Sequence, residues 1–158
     1  MTALFHRRAA VSIGLAAGLL LAAPAMAAPD SPFWGRWQVS DPDGPFSSHG
    51  REYKTIDIAP CGKDFCGVSV GAGGKCGPTL FRFLMKRAGG DQELRGTGKW
   101  GSGRKNVMIW LFQGAQGEVR DQFQLYLGDG WDFGERSPNM PKFDAIYRKS
   151  GVARCKAR

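Results

Sequence analysis

Gly67-Val68-Ser69-Val70-Gly71 carries the Gly-x-Ser-x-Gly lettering that can present a serine nucleophile on a strained turn. That chemistry needs a strand-to-helix turn and a histidine, in its usual order downstream, to take the serine proton. Ser69 instead stands in a β-patterned run, and the last histidine of the chain is His49, so the lettering does not make a hydrolase. The following Gly71-Ala72-Gly73-Gly74-Lys75-Cys76 hints at a phosphate loop. Ser69 stands where its first glycine belongs, however, Cys76 replaces the hydroxyl residue, and no helical pattern begins there. Asp41 and Asp43 fail as a calcium loop because Gly44 arrives two positions early and no glutamate closes the loop. His49, set among Ser47, Ser48, Gly50 and Arg51, is one imidazole in a polar loop and makes neither a triad nor a metal cage. No catalytic residue, metal site or cofactor is expected.

Asp129, Asp132 and Glu135 lie close together in Gly128-Asp129-Gly130-Trp131-Asp132-Phe133-Gly134-Glu135, and paired acids beside aromatics are what glycan cleavage would use. The same string suits a long loop at the end of a β-barrel, with Asp-Gly making a turn and two aromatics at the rim. Trp131, Phe133, Asp129 and Asp132 are therefore the candidate ligand mouth, with binding preferred to catalysis. Basic groups at Lys86-Arg87, Arg104-Lys105, Arg148-Lys149 and Arg154-Cys155-Lys156-Ala157-Arg158, with Phe81 and Phe83 on a sheet, could hold and stack bases, but export from the cytoplasm argues against a nucleic-acid partner.

The export signal is the sharpest feature of the N-terminus. Arg7-Arg8 precedes an apolar stretch over 9–23, and Ala25-Met26-Ala27 has the small residues of a signal-peptidase cut. The stretch is shorter than the roughly 20 residues of a spanning helix and is interrupted by Gly14, Gly18 and Pro24. Residues 1–27 are read as a cleaved leader, which leaves 28–158 as one soluble, monomeric domain in the periplasm of a Gram-negative envelope or outside the cell. Ala9-Ala10-Val11 lacks the bulky residue usual after a twin-arginine pair, so the general export route is favoured. Cleavage removes two arginines and no acid, taking the net charge from +8 to +6, a moderate excess that favours anionic surroundings or simple solubility.

An oxidising compartment lets the four cysteines pair, in one of three ways. Cys61 and Cys66 flank the tip of a hairpin, Gly62-Lys63-Asp64-Phe65, and are expected to face each other, which leaves Cys76 to reach Cys155 and clip the basic C-terminal tail to the body. Zinc is rejected, since no histidine lies near them in sequence.

The chain has 23 glycines and nine prolines spread between short apolar runs, and no run holds a helical apolar period, so an all-β fold is expected. Strands are predicted at 34–39, 53–59, 66–70, 79–86, 92–96, 105–112, 119–127 and 142–149. Ile56 and Ile58 should face inward with Thr55 and Asp57 outward. Phe81, Phe83 and Met85 should oppose Arg82, Leu84 and Lys86, and Phe123, Leu125 and Leu127 should oppose Gln122, Gln124 and Tyr126. Residues 107–112 are apolar on both faces, as in a covered or central strand. Seven or eight strands in hairpin order favour an antiparallel up-and-down barrel or half-barrel. Gly35-Arg36-Trp37 and the final-strand Arg148 resemble the lipocalin-type pattern, in which a Gly-x-Trp indole closes the barrel end under an arginine. The resemblance implies that Arg148 lies on Trp37.

Together with the leader and Gly35-Arg36-Trp37, the hairpin Ile58-Ala59-Pro60-Cys61-Gly62-Lys63-Asp64-Phe65-Cys66-Gly67 and Lys99-Trp100-Gly101-Ser102-Gly103 resemble the bacterial "domain of unknown function 2147" family of small exported β proteins. The resemblance implies a fold and a compartment and no activity. The stretch after Gly103 lacks that family's aspartate-proline and glycine-tyrosine signals, and Cys76 and Cys155 are particular to this chain. The expected role is a non-enzymatic module binding a small apolar or amphipathic ligand, or an envelope component. The alternatives are a secreted inhibitor of a protease or muramidase, acting through residues 28–33 or 129–139, and a small glycan hydrolase.

Overall fold

Short apolar runs separated by glycine and proline turns leave the backbone one economical way to satisfy its hydrogen bonds, a sheet in which sequence neighbours pair. The computed structural model describes residues 31–44, 46–83, 92–113, 119–130 and 141–157. Its strands are β1 Gly35–Val39, β2 Thr55–Cys61, β3 Asp64–Val70, β4 Cys76–Phe83, β5 Glu93–Trp100, β6 Gly103–Gln113, β7 Val119–Gly128 and β8 Pro141–Gly151. Each is antiparallel to the next and β8 returns to β1, so the eight strands form a closed barrel in sequence order. Among the described residues no helix is long and apolar enough to cross a membrane.

The inward faces follow the expected alternation. Ile56, Ile58, Phe81, Phe83, Val107, Ile109, Leu111, Phe123, Leu125 and Leu127 are all buried, and eight strands give an interior that such side chains fill. Packing is tight: the rings of Trp37 and Phe123 are 4.5 Å apart, Phe123 stacks on Tyr147 at 4.9 Å, and Phe81 meets Phe83 at 5.2 Å. Glycines make room for this. A Cβ on Gly67 would lie 2.1 Å from the Phe81 ring, and one on Gly96 would lie 2.2 Å from the Arg82 carbonyl oxygen. That crowding explains why β5 runs on to Trp100 where a short strand ending at Gly96 was expected: Gly96 and Gly98 are close-approach positions within the strand. β4 likewise begins at Cys76, earlier than expected, while the expected positions Leu84, Met85 and Lys86 lie outside the described residues.

Both disulfides pair as expected, Cys61 with Cys66 and Cys76 with Cys155. The second ties the tail down. After β8 the chain turns back over the outer face, and the Arg154 and Cys155 amides donate to Asp57 on β2 before the bridge to Cys76 on β4.

Two outward positions are not solvated as the alternation implied. Asp57 is fully buried because the tail covers it. Tyr126 is fully buried too: the chain after β7 folds back so that the Gly130 amide donates to the Tyr126 hydroxyl at 3.2 Å, and Asn106 Nδ2 holds the Asp129 and Gly130 carbonyls at 3.1 Å each.

The closing cation also differs from expectation. Trp37 is buried, with its indole N–H donating to the Phe33 carbonyl at 2.8 Å, but the side chain over it is Lys149, whose Nζ is 5.5 Å from the ring. Register decides this: Trp37 pairs with Lys149 and Gln38 with Arg148, so Arg148 faces the other side of the sheet and is exposed. Gly35 has φ +147°, and a Cβ there would meet Lys149 Cε at 2.8 Å and the Gly151 oxygen at 2.9 Å, so the first residue of Gly35-Arg36-Trp37 is fixed by the close approach of β8.

Candidate functional site

The barrel ends differ. Phe33, Trp37 and Lys149 fill the end where the described chain starts. The opposite end is crossed by the β1–β2 connection, whose 3-10 turn Gly50–Tyr53 lowers Tyr53 into the core. The Tyr53 hydroxyl donates to the Lys99 carbonyl at 2.7 Å, and the Tyr147 hydroxyl donates to the Tyr53 carbonyl. Burial pushes both phenols above their ordinary pKa, so they act as neutral donors.

At this end Phe46, Tyr53, Trp100 and Phe143 form an aromatic cluster, with Tyr53 and Phe143 5.2 Å apart and Phe46 and Phe143 6.0 Å apart. Beside it lies an open groove of about 780 Å³. Phe46, Trp100, Phe143 and Ala145 give it an apolar floor, and Asp41, Gln124, Lys142 and Asp144 give it polar walls. Gln124 Nε2 donates to the Asp144 carboxylate at 2.9 and 3.2 Å. Desolvation against the sheet raises the Asp144 pKa despite that hydrogen bond. Lys54 projects over the Phe46 ring, its Nζ 4.8 Å from the centroid, and donates to the Pro42 carbonyl.

Of the expected mouth, Asp129 is described and Trp131, Phe133 and Asp132 lie outside the described residues. Asp129 is exposed, and the Lys105 ammonium it bonds holds its carboxyl below the usual range; Lys142 stands 3.9 Å away. β7 ends and β8 begins at the grooved end of the barrel. Phe46, Trp100 and Phe143 are scattered singly along the chain, so no local pattern in the sequence marks them as a site, and Lys99-Trp100-Gly101-Ser102-Gly103 carries only the family resemblance. The proposed inhibitory segments, 28–33 and 129–139, fall mostly outside the described residues.

The remaining chemical candidates find structural places. The buried Ser69 hydroxyl donates to the Glu52 carbonyl at 2.8 Å, which anchors the 3-10 turn. His49 is exposed and sets its ring against Trp100 with centroids 5.7 Å apart. Phe81 and Phe83 are core residues and present no stacking platform. Among the described residues no group of three metal-ligating side chains converges.

The most elaborate polar arrangement is one that the sequence did not flag. Asp57 accepts from Arg36 Nε at 2.7 Å and Nη2 at 2.9 Å, and from the Arg154 and Cys155 amides at 2.8 Å each. Burial alone would raise its pKa, but the Arg36 hydrogen bonds, the two amides and the guanidinium charge outweigh it and the net shift is downward. It is a latch for the tail, closed on every side.

No family model matches the chain, and no curated protein or solved structure does. The class that the fold defines is a disulfide-stapled, eight-stranded antiparallel barrel with a filled interior.

Proposed function

We propose that the chain is an exported, non-enzymatic binding module that seats an amphipathic small molecule in the rim groove, and that it is a distant relative of the "domain of unknown function 2147" proteins. The groove carries the reading: its volume of about 780 Å³ is of ligand size, and an apolar floor faces polar walls. Side chains fill the interior, which counts against a ligand held inside the barrel and leaves the rim groove as its seat. An apolar body would lie on Phe46, Trp100 and Phe143, with a hydrogen-bonding head toward Gln124 and Asp144. The leader and the paired cysteines support an extracytoplasmic setting.

A thermal-shift and native-mass-spectrometry screen of the mature protein against fatty acids, lysophospholipids and long-chain amines tests this. A saturable shift is expected, with affinity at least about tenfold weaker in Phe143→Ala, equivalent to about 1.4 kcal/mol. If no amphiphile binds, or if Phe143→Ala binds as tightly as the parent, the reading is wrong.

A further inference from the structure

A second cleft, whose lining shares no residue with the aromatic groove, has the chemistry of an anion site. β4 and β5 pair only through Phe81 with Gly98, Arg82 with Thr97 and Phe83 with Gly96, although both strands continue toward the rim. The break has a cause. The β3 register shifts so that Gly67 pairs with Phe81 and the next residue, Val68, with Thr79, which leaves Leu80 as a bulged, buried residue. On the other strand the Lys99 carbonyl is taken by the Tyr53 hydroxyl. The strands part, and a cleft of about 480 Å³ opens between them.

Its lining is polar and basic: Thr79, Thr97 and Ser102 bring hydroxyls, and Arg82, Lys99 and Arg104 bring positive charge. Arg82 is drawn aside by Asp64, 3.0 Å from its Nε. Lys99 and Arg104 are not. They are direct cross-strand partners on the β5–β6 hairpin, and neither has an acidic partner among the described residues. Like charges placed opposite each other in a sheet are unfavourable, and an anion bound between them would remove the repulsion. A guanidinium fork, an ammonium and hydroxyl donors around a cleft suit a tetrahedral oxyanion, which accepts from several directions at once.

We infer that this cleft binds a phosphate or sulfate group, with Lys99 and Arg104 as the recognising cations. The group can belong to a soluble ester or to a lipid head, and the test separates these sources. Isotope-labelled mature protein is titrated with inorganic phosphate at low ionic strength, and the same protein is co-sedimented with vesicles of phosphatidylglycerol and, as control, of phosphatidylcholine. Saturable amide shifts confined to 79–82 and 97–104 are expected, with affinity at least about tenfold lower in Lys99→Gln/Arg104→Gln and partly restored in Lys99→Gln/Arg104→Lys. Co-sedimentation with phosphatidylglycerol alone, lost in the double variant, assigns a lipid head; phosphate binding without co-sedimentation assigns a soluble ester. The double variant removes a repulsive pair and should keep its fold, and Lys149→Ala, which removes a cation at the other end of the barrel, should bind phosphate as the parent does. Absence of saturable shifts, or shifts spread over all basic residues and unchanged in the double variant, overturns the proposal.

Discussion

Replacing Asp57 with alanine tests the tail latch directly. The substitution strips Arg36 of its counter-charge and leaves the Arg154 and Cys155 amides without their acceptor. Removing one partner of a buried ion pair costs about 3–5 kcal/mol. The Arg36 side chain is 21% exposed while Asp57 is fully buried, so the arginine can partly rehydrate and the expectation falls at the low end, about 3 kcal/mol. Asp57→Asn keeps the shape and one acceptor oxygen, and should lose less, about 2 kcal/mol. Urea unfolding with both disulfides intact measures this, and in a thermal scan the alanine variant should melt about 10 °C lower. Hydrogen exchange should show the Arg154 and Cys155 amides losing protection before the barrel strands do. The pH dependence adds a sign. A carboxylate whose folded pKa is depressed contributes stability that is complete above its unfolded pKa and is lost as pH falls through the lower folded value. The gap between parent and Asp57→Ala should therefore be full near pH 6 and shrink below about pH 4. A loss under about 1 kcal/mol, or a gap that stays constant across that range, would refute the claim that Asp57 is an ionised, fully bonded anchor.

Three other perturbations separate parts of the fold. The Cys76–Cys155 bridge spans 79 residues and Cys61–Cys66 spans five. Loop-closure entropy then makes Cys76→Ser/Cys155→Ser cost about 4–5 kcal/mol against about 2 for the hairpin pair, and comparable unfolding midpoints for the two double variants would contradict this. Gly67→Ala and Gly96→Ala push a methyl into the Phe81 ring and the Arg82 carbonyl; each should cost about 2–3 kcal/mol by denaturant midpoint, whereas Gly71→Ala, with 3.7 Å of clearance, should stay within about 0.5. Lys149→Ala should cost about 0.5–1 kcal/mol by uncovering Trp37, with Arg148→Ala near neutral; the reverse order would restore the arginine closure.

The sequence by itself determined the class of fold and the covalent frame. Alternation such as that of Phe123, Leu125 and Leu127 is a local property that any sheet must honour, and short turns leave little choice but hairpin order. Cys61 and Cys66 lie close enough in sequence to pair with each other, and that pairing left Cys76 only Cys155. What the tertiary structure decided depends on register and on what covers an outer face. Alternation with Phe143, Ala145 and Tyr147 puts Lys149 rather than Arg148 on the inner face of β8, but only the β1–β8 register sets it opposite Trp37. The pattern rightly turned Asp57 and Tyr126 outward, yet both are buried because chain from beyond their own strands folds back over them. The aromatic groove joins Phe46, Trp100 and Phe143 from three separate segments, and the basic cleft exists because a bulge at Leu80 parts two strands. Alternation fixes which side of a strand a residue takes; only the closed barrel fixes which residues meet, because contacts between distant segments are set by pairing register and by the path of the connections.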